Sequence, residues 1–228
     1  MEGPVFRNRK ITIVAAGAAA FIALIALSAF STRGNHANAA EETAAPTPTA
    51  GPAAESTLPE MSLGKADAPV TIIEYSSLSC PHCAAFHKDV LPALKSEYID
   101  TGKVRYVVRE FPLNDAALAG SVIARCLDPS RYFAFTDLLF SKQEEWAFKE
   151  DAFTPLKRLA RQAGMSEDQF NKCIDDEALQ KKILAVREQG SKEGVNATPS
   201  FFVNGKLLKG AATLQALAEA VKPYLSTQ

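Results

Sequence analysis

The sequence has no surplus of basic charge: 25 Lys and Arg stand against 26 Asp and Glu, a formal net charge of −1. A nucleic-acid-binding surface needs a basic face, so that class is excluded. No internal repeat is present, which excludes a solenoid. Cysteine is sparse, with four in 228 residues, and only Cys80 and Cys83 form a Cys-x-x-Cys pair. Without a second such pair, the usual frame of a structural zinc site is missing. What is present is apolar residue, 47% of the chain, enough for one well-cored domain with accessories.

The N-terminus carries Arg7, Arg9 and Lys10 ahead of Ile11–Phe30, a run without a charge. As a helix that run would be roughly 30 Å long, the thickness of a bilayer core. Ala37-Asn38-Ala39 then offers the small residues of a signal-peptidase site. Residues 1–39 are therefore expected to be a signal peptide or an N-terminal membrane anchor. Either reading keeps the positive charges inside and the rest of the chain outside the cytoplasm. An even set of cysteines in an exported chain favours disulfide chemistry.

Residues 40–62 are rich in Pro and Ala, lack apolar periodicity, and read as an extended linker. The domain is expected over 63–228. Val70–Ser76 is a nearly continuous β-branched run, as in a strand buried on both faces. Pro81–Tyr98 has helical spacing, with a kink expected about one turn before Pro92. Lys103–Glu110 is strand-like again, completing a βαβ unit. From about 114 to 194 the pattern is helical: Ala116–Leu127, Arg131–Phe140, a helix capped by Thr154 with Pro155 at its first position, one opened by the Ser166/Gln169 capping box, and Ala178–Gln189. Ser200–Val203, an Asn204-Gly205 turn and Lys206–Lys209 form a hairpin, and Thr213–Leu225 is an amphipathic helix. The class is α/β: β-α-β, a helical insert, then β-β-α.

Cys80-Pro81-His82-Cys83 lies between a buried strand and a helix start. Free N–H groups and the helix dipole there favour a thiolate on Cys80, with His82 as a second stabilising group. A favoured thiolate makes the dithiol stable and the disulfide oxidising. Cys83, one turn into the helix, is the shielded partner. The competing readings are an inert structural disulfide and a copper or zinc site made from Cys80, His82, Cys83 and His87. The latter needs the helix start to fold back on itself, so no metal is expected. Glu74 sits near the end of a strand that reads as buried, where an acid needs a task or a partner. It is either a proton relay to Cys83 or a solvated strand-end charge. Thr198-Pro199 opens a strand, one of the few places proline is tolerated there. Arg109 reads as a strand-edge charge and Trp146 as a core aromatic.

Ile73-Glu74-Tyr75, Cys80-Pro81-His82-Cys83, Arg109-Glu110-Phe111-Pro112-Leu113 and Ala197-Thr198-Pro199-Ser200-Phe201-Phe202-Val203-Asn204-Gly205 together resemble the DsbA-like family of bacterial thiol:disulfide oxidoreductases. The resemblance runs from about Leu63 to Leu225. It implies a thioredoxin fold with an inserted helical domain. It further implies Cys80 as the exposed nucleophilic sulfur, Cys83 as its buried partner, Glu74 as the acid beneath them, and Pro199 as a cis-proline which, with Thr198, meets substrate. Cys126 and Cys173 are either two buried thiols or, as in a subset of the family, a structural disulfide; the disulfide is the expectation. The resemblance implies a periplasmic protein and a DsbB-like, quinone-linked membrane reoxidase as partner; the substrates are expected to be unfolded exported proteins and no bound cofactor is needed. A monomer is expected, because residues 40–60 are too short and too Pro-rich for the oligomerisation domain that family isomerases use. An isomerase or reductase of the same fold, a metal-handling thiol protein, and a peptide-binding chaperone are the rival functions.

Overall fold

In a computed structural model the protein is described over residues 58–209 and 212–225. The leader expected over 1–39 lies outside these residues, as does the linker up to residue 57. The strands are β1 (Met61–Leu63), β2 (Val70–Ser76), β3 (Val104–Glu110), β4 (Ser200–Val203) and β5 (Lys206–Leu207), in the sheet order β1-β3-β2-β4-β5. The apolar run at 70–76 is thus the central strand. β2 and β3 are parallel, from Val70 opposite Val104 to Ser76 opposite Glu110. A parallel pair needs a crossover, which the helix between them supplies. β4 runs antiparallel to β2, setting Glu74 opposite Phe201 and Tyr75 opposite Ser200. The sheet also takes in β1, antiparallel to β3, which begins at Met61 inside the expected linker; three residues are too few to show a period in sequence.

Successive β2 side chains alternate between two buried faces. Ile72 packs with the larger core, while Tyr75 packs with Phe111, Val186, Val195 and Phe202. Between β2 and β3 run α1 (Pro81–Asp89), α2 (Leu91–Leu94) and a π-helical turn over Lys95–Ile99. The break falls at Val90, whose φ is −116°. It lies two residues before Pro92 rather than a full turn, and Pro92 sits within the first turn of α2, where a missing N–H costs nothing.

The insert comprises α3 (Asp115–Cys126), α4 (Tyr132–Ser141), α5 (Gln143–Trp146), α6 (Phe153–Gln162), α7 (Glu167–Ile174) and α8 (Glu177–Lys192); α9 (Leu214–Leu225) follows the hairpin. Asn114 caps α3 by accepting from the Ala117 N–H at 2.8 Å, and both bonds of the Ser166/Gln169 capping box form. Thr154 is not a cap. The Asp151 carboxylate accepts from the N–H groups of Phe153 and Thr154 at 3.0 and 3.1 Å, so the helix begins earlier and Pro155 stands third in it. The Asn204-Gly205 turn has positive φ at both residues, 45° and 78°, as a two-residue hairpin requires. The strand after it ends at Leu207, two residues short of the expected Lys209.

Trp146 is fully buried and donates its indole N–H to the Leu139 carbonyl at 2.9 Å. Gly190 of α8 crosses the Tyr75 ring so closely that a Cβ would lie 2.5 Å from it. Cys126, ending α3, and Cys173, near the end of α7, are joined as a disulfide with Cα atoms 6.2 Å apart. Replacing both with alanine is expected to lower stability by about 4 kcal/mol in the chain-entropy picture, measured by urea unfolding with Cys80 and Cys83 kept reduced. Gly190→Ala is expected to cost about 1–3 kcal/mol by overpacking in the same assay.

Candidate active site

After β2 the chain turns through Ser77–Ser79 and delivers Cys80 as the N-cap of α1. The Cys80 N–H closes the turn on the Ser77 carbonyl at 3.0 Å. Gln143, buried in α5, donates to the carbonyls of Leu78 at 2.8 Å and Cys80 at 3.1 Å. The insert therefore braces the loop that carries the sulfur. Cys80 and Cys83 are free thiols, with 5% of Cys80 accessible and none of Cys83. Cys80 is less open than the resemblance implied, because the loop before β4 folds over it. Its thiol donates to the Thr198 carbonyl at 3.2 Å. The Thr198–Pro199 bond is cis. Beside it His82, Phe86, Val90, Thr198, Pro199 and Thr213 line a groove of about 370 Å³.

The electrostatics separate the two sulfurs. A hydrogen bond from the Cys83 thiol does most to hold Cys80 down, against burial, which pushes it up; the Thr198 hydroxyl and the N–H groups of Cys83 and His82 add to the effect. The result is a Cys80 pKa lowered from 9.0 to about 5. Burial pushes the Cys83 thiol far the other way, and the neighbouring charges on Glu74 and Cys80 push with it. The N–H groups at the helix mouth act in the sense expected, alongside the partner thiol. The Thr198 hydroxyl is buried without a hydrogen-bond partner among the described residues, so an anionic sulfur gives it an acceptor. His82 is exposed on the groove, and its backbone N–H is the part that favours the thiolate.

Glu74 is wholly buried, which rules out the solvated strand-end reading. Its Oε2 accepts from the Tyr106 hydroxyl and lies 3.3 Å from His87 Nε2. His87 Nδ1 lies 3.2 Å from Asp137 Oδ1. Burial pulls the His87 pKa down, but Glu74 and Asp137 outweigh it and hold it at about 9, above 6.5. Burial, then Glu74, pushes Tyr106 well above the usual tyrosine range. Tyr106, His87 as a partner of Glu74, and Gln143 escape sequence reasoning. His87 has a faint signal, four residues after Cys83 and so on its helix face; Gln143 has none. Arg109 is more than an edge charge, donating to the Tyr75 hydroxyl at 3.0 Å and to Glu60 at 3.3 Å. Among the described residues no group of three or more His, Cys, Asp or Glu could hold a metal ion.

The comparisons agree with this geometry. The sequence model of the thioredoxin family matches residues 56–223. A Rickettsia bellii protein named as a candidate protein-disulfide oxidoreductase is 34% identical over 148 residues, 64% of this chain and 57% of its own. The chain thus spans little over half the length of that relative. A Bacillus anthracis protein named as a candidate disulfide bond formation protein D is 32% identical over 157 residues, 65% of this chain and 71% of its own. The crystal structure of Wolbachia pipientis alpha-DsbA1 superposes with a TM-score of 0.68 at 32% identity, covering 73% of this chain and 92% of that one. With this sheet order, this helical insert and this Cys-Pro-His-Cys site, the chain belongs to the thioredoxin family, in its DsbA-like branch.

Proposed function

We propose that the protein is an exported thiol:disulfide oxidoreductase that donates its Cys80–Cys83 disulfide to folding secreted or periplasmic proteins. The observation that carries this reading is the opposition of the two sulfurs, one favoured as thiolate and the other held as thiol. The dithiol gains a charge-assisted hydrogen bond that the disulfide lacks, so the oxidised form gives its bond away readily. Export rests on the basic and apolar segments of residues 7–30 and on the small residues at 37–39.

In the proposed cycle an unfolded substrate lies along the groove beside Thr198 and Pro199. Its thiolate attacks Cys80 Sγ, the Cys80–Cys83 bond breaks, and Cys83 leaves with the electron pair and takes a proton by way of Glu74. A second substrate thiolate then attacks the substrate sulfur of the mixed disulfide and expels the Cys80 thiolate. Two substrate thiols are oxidised and one protein disulfide is reduced. The resemblance supplies the final step, reoxidation by a DsbB-like, quinone-linked membrane partner. The protein acts as a monomer and brings no cofactor.

Ultraviolet titration of the Cys80 thiolate is expected to give a midpoint of about 5, and a midpoint near that of free cysteine would sink the donor reading. Thr198→Val, which removes one donor to the thiolate, is expected to raise the midpoint by about one pH unit. The redox potential of the pair separates oxidase from reductase: above about −180 mV supports donation, and about −270 mV, as in thioredoxin, overturns it.

The same asymmetry fixes a pH dependence. The Cys80 pKa is lower folded than unfolded, so its stabilisation of the dithiol form is complete above about 9 and lost as pH falls through about 5. The dithiol form is therefore expected to melt above the disulfide form at pH 7, with the gap closing as pH drops toward 4. Parallel melts of the two forms across that range check it.

A further inference from the structure

Cys83 and Glu74 are sealed from solvent, yet every turn of the proposed cycle requires a proton to reach Cys83. Glu74 Oε1 has no hydrogen-bond partner among the described residues, and the Glu74 charge acts on Cys83. On its other oxygen Glu74 meets His87 Nε2 at 3.3 Å, and the far nitrogen of that ring meets Asp137 Oδ1 at 3.2 Å. Asp137 is 59% exposed. It lines, with His87, Lys88 and Ser141, a groove of about 540 Å³ open on the side of α1 turned toward α4. A single imidazole therefore spans the distance between a buried carboxylate and water.

We propose that His87 and Asp137 form the route by which solvent protons reach Glu74 and, through it, Cys83. The inference rests on the disulfide-exchange reading above. Before the exchange the ring, carrying Nε2–H, takes a solvent proton at Nδ1 beside Asp137 and becomes imidazolium. When the Cys80–Cys83 bond breaks, Cys83 Sγ holds the electron pair, and the Nε2 proton passes across the Glu74 carboxylate to it. Glu74 ends as a carboxylate again, and the ring ends neutral with its Nδ1–H on Asp137. Reoxidation of the pair runs the same transfers backwards. His87 touches neither reacting sulfur and acts on them only through Glu74, so it is a positioning and relay residue.

The surroundings suit that task. Phe140 lies against the ring with centroids 4.3 Å apart, and Phe86 meets it edge-on at 5.9 Å, so the imidazole is held between its two carboxylates. The charged and titratable groups around it are Glu74 from β2 with Tyr106 of β3 behind it, Asp137 from α4, and Cys83, Lys88 and Asp89 on its own helix. Two anions face the ring directly, against a single nearby cation at the groove. An imidazolium is thereby favoured through neutral pH, with its proton lost near 9.

The test is single-turnover transfer of the disulfide from the full chain to a fluorescent dithiol peptide, comparing wild type with His87→Gln and Asp137→Asn. The wild-type to His87→Gln rate ratio cancels the titration of the peptide thiols. It is expected to be about a hundred between pH 6 and 8 and to fall toward one above about 9, where the wild-type ring has lost its proton. Asp137→Asn, at an exposed position, keeps the test open should His87→Gln fail to fold: the wild-type to Asp137→Asn rate ratio is expected to rise above one just below pH 9, where the variant ring has already lost its proton and the wild-type ring has not. A His87→Gln ratio of one throughout or unchanged with pH overturns the relay, as does an Asp137→Asn ratio that stays at one. If wild type itself transfers no disulfide, the exchange reading fails first and the relay with it.

Discussion

The hydrogen bond from the Cys83 thiol to the Cys80 sulfur is the interaction on which the site depends. It exists only while one sulfur is an anion and the other keeps its proton. Burial, together with the charges on Glu74 and Cys80, ensures the second condition by pushing Cys83 up. The depression of one pKa and the elevation of the other are therefore one interaction seen from its two ends. Joining the sulfurs abolishes it. The instability of the disulfide thus comes from what the dithiol gains, with no strain invoked.

That bond needs a frame, and much of it comes from outside the β-α-β unit. The β2–β4 pairing, Tyr75 opposite Ser200, brings the loop before β4 over Cys80, where the Thr198 carbonyl accepts from the protonated sulfur and the Thr198 hydroxyl favours the thiolate. Gln143 of α5 holds the carbonyls of Leu78 and Cys80, leaving the turn little freedom to drift from the helix start. Asp137 and Phe140 of α4 set the ring of His87. The insert is part of the site as well as a cover for the sheet, and the disulfide between α3 and α7 acts within that working part.

The sequence was most legible where a short local rule decides the outcome. β-Branched runs gave β2 and β3, side-chain oxygens gave the α7 capping box, and Asn-Gly gave the hairpin turn. Cys80 and Cys83 were legible because their spacing places them on one helix start. Local rules failed where two of them competed: Asp151 took the N–H groups that Thr154 was expected to organise. They were silent on contacts between distant segments. Glu74 was recognisable as an acid out of place, yet its partners come from Tyr106, 32 residues on, and from His87 of α1. Glu110 was read only as part of a motif. It is buried and held by two Arg125 nitrogens at 2.5 and 2.8 Å, with the Tyr132 hydroxyl at 2.9 Å, an arrangement that no periodicity announces.

A buried carboxyl such as Glu74 is a poor way to stabilise a fold, since an apolar residue of similar volume is often as good or better. Its retention needs a reason located in the two sulfurs. A charge beneath Cys83 keeps that thiol protonated, and a protonated Cys83 is what favours the Cys80 thiolate. An isolated anion there would carry a large desolvation cost. The Tyr106 hydroxyl meets part of that cost as a neutral donor. His87 meets more of it as a cation, itself anchored by Asp137 at the surface. The acid, the phenol and the imidazole are consequently one electrostatic unit, and Cys83 is the group on which that unit acts. Removing the imidazole would take away the cation that faces Glu74 beneath Cys83. In this way a ring without contact to substrate reaches the redox preference of the sulfur that does the exchange.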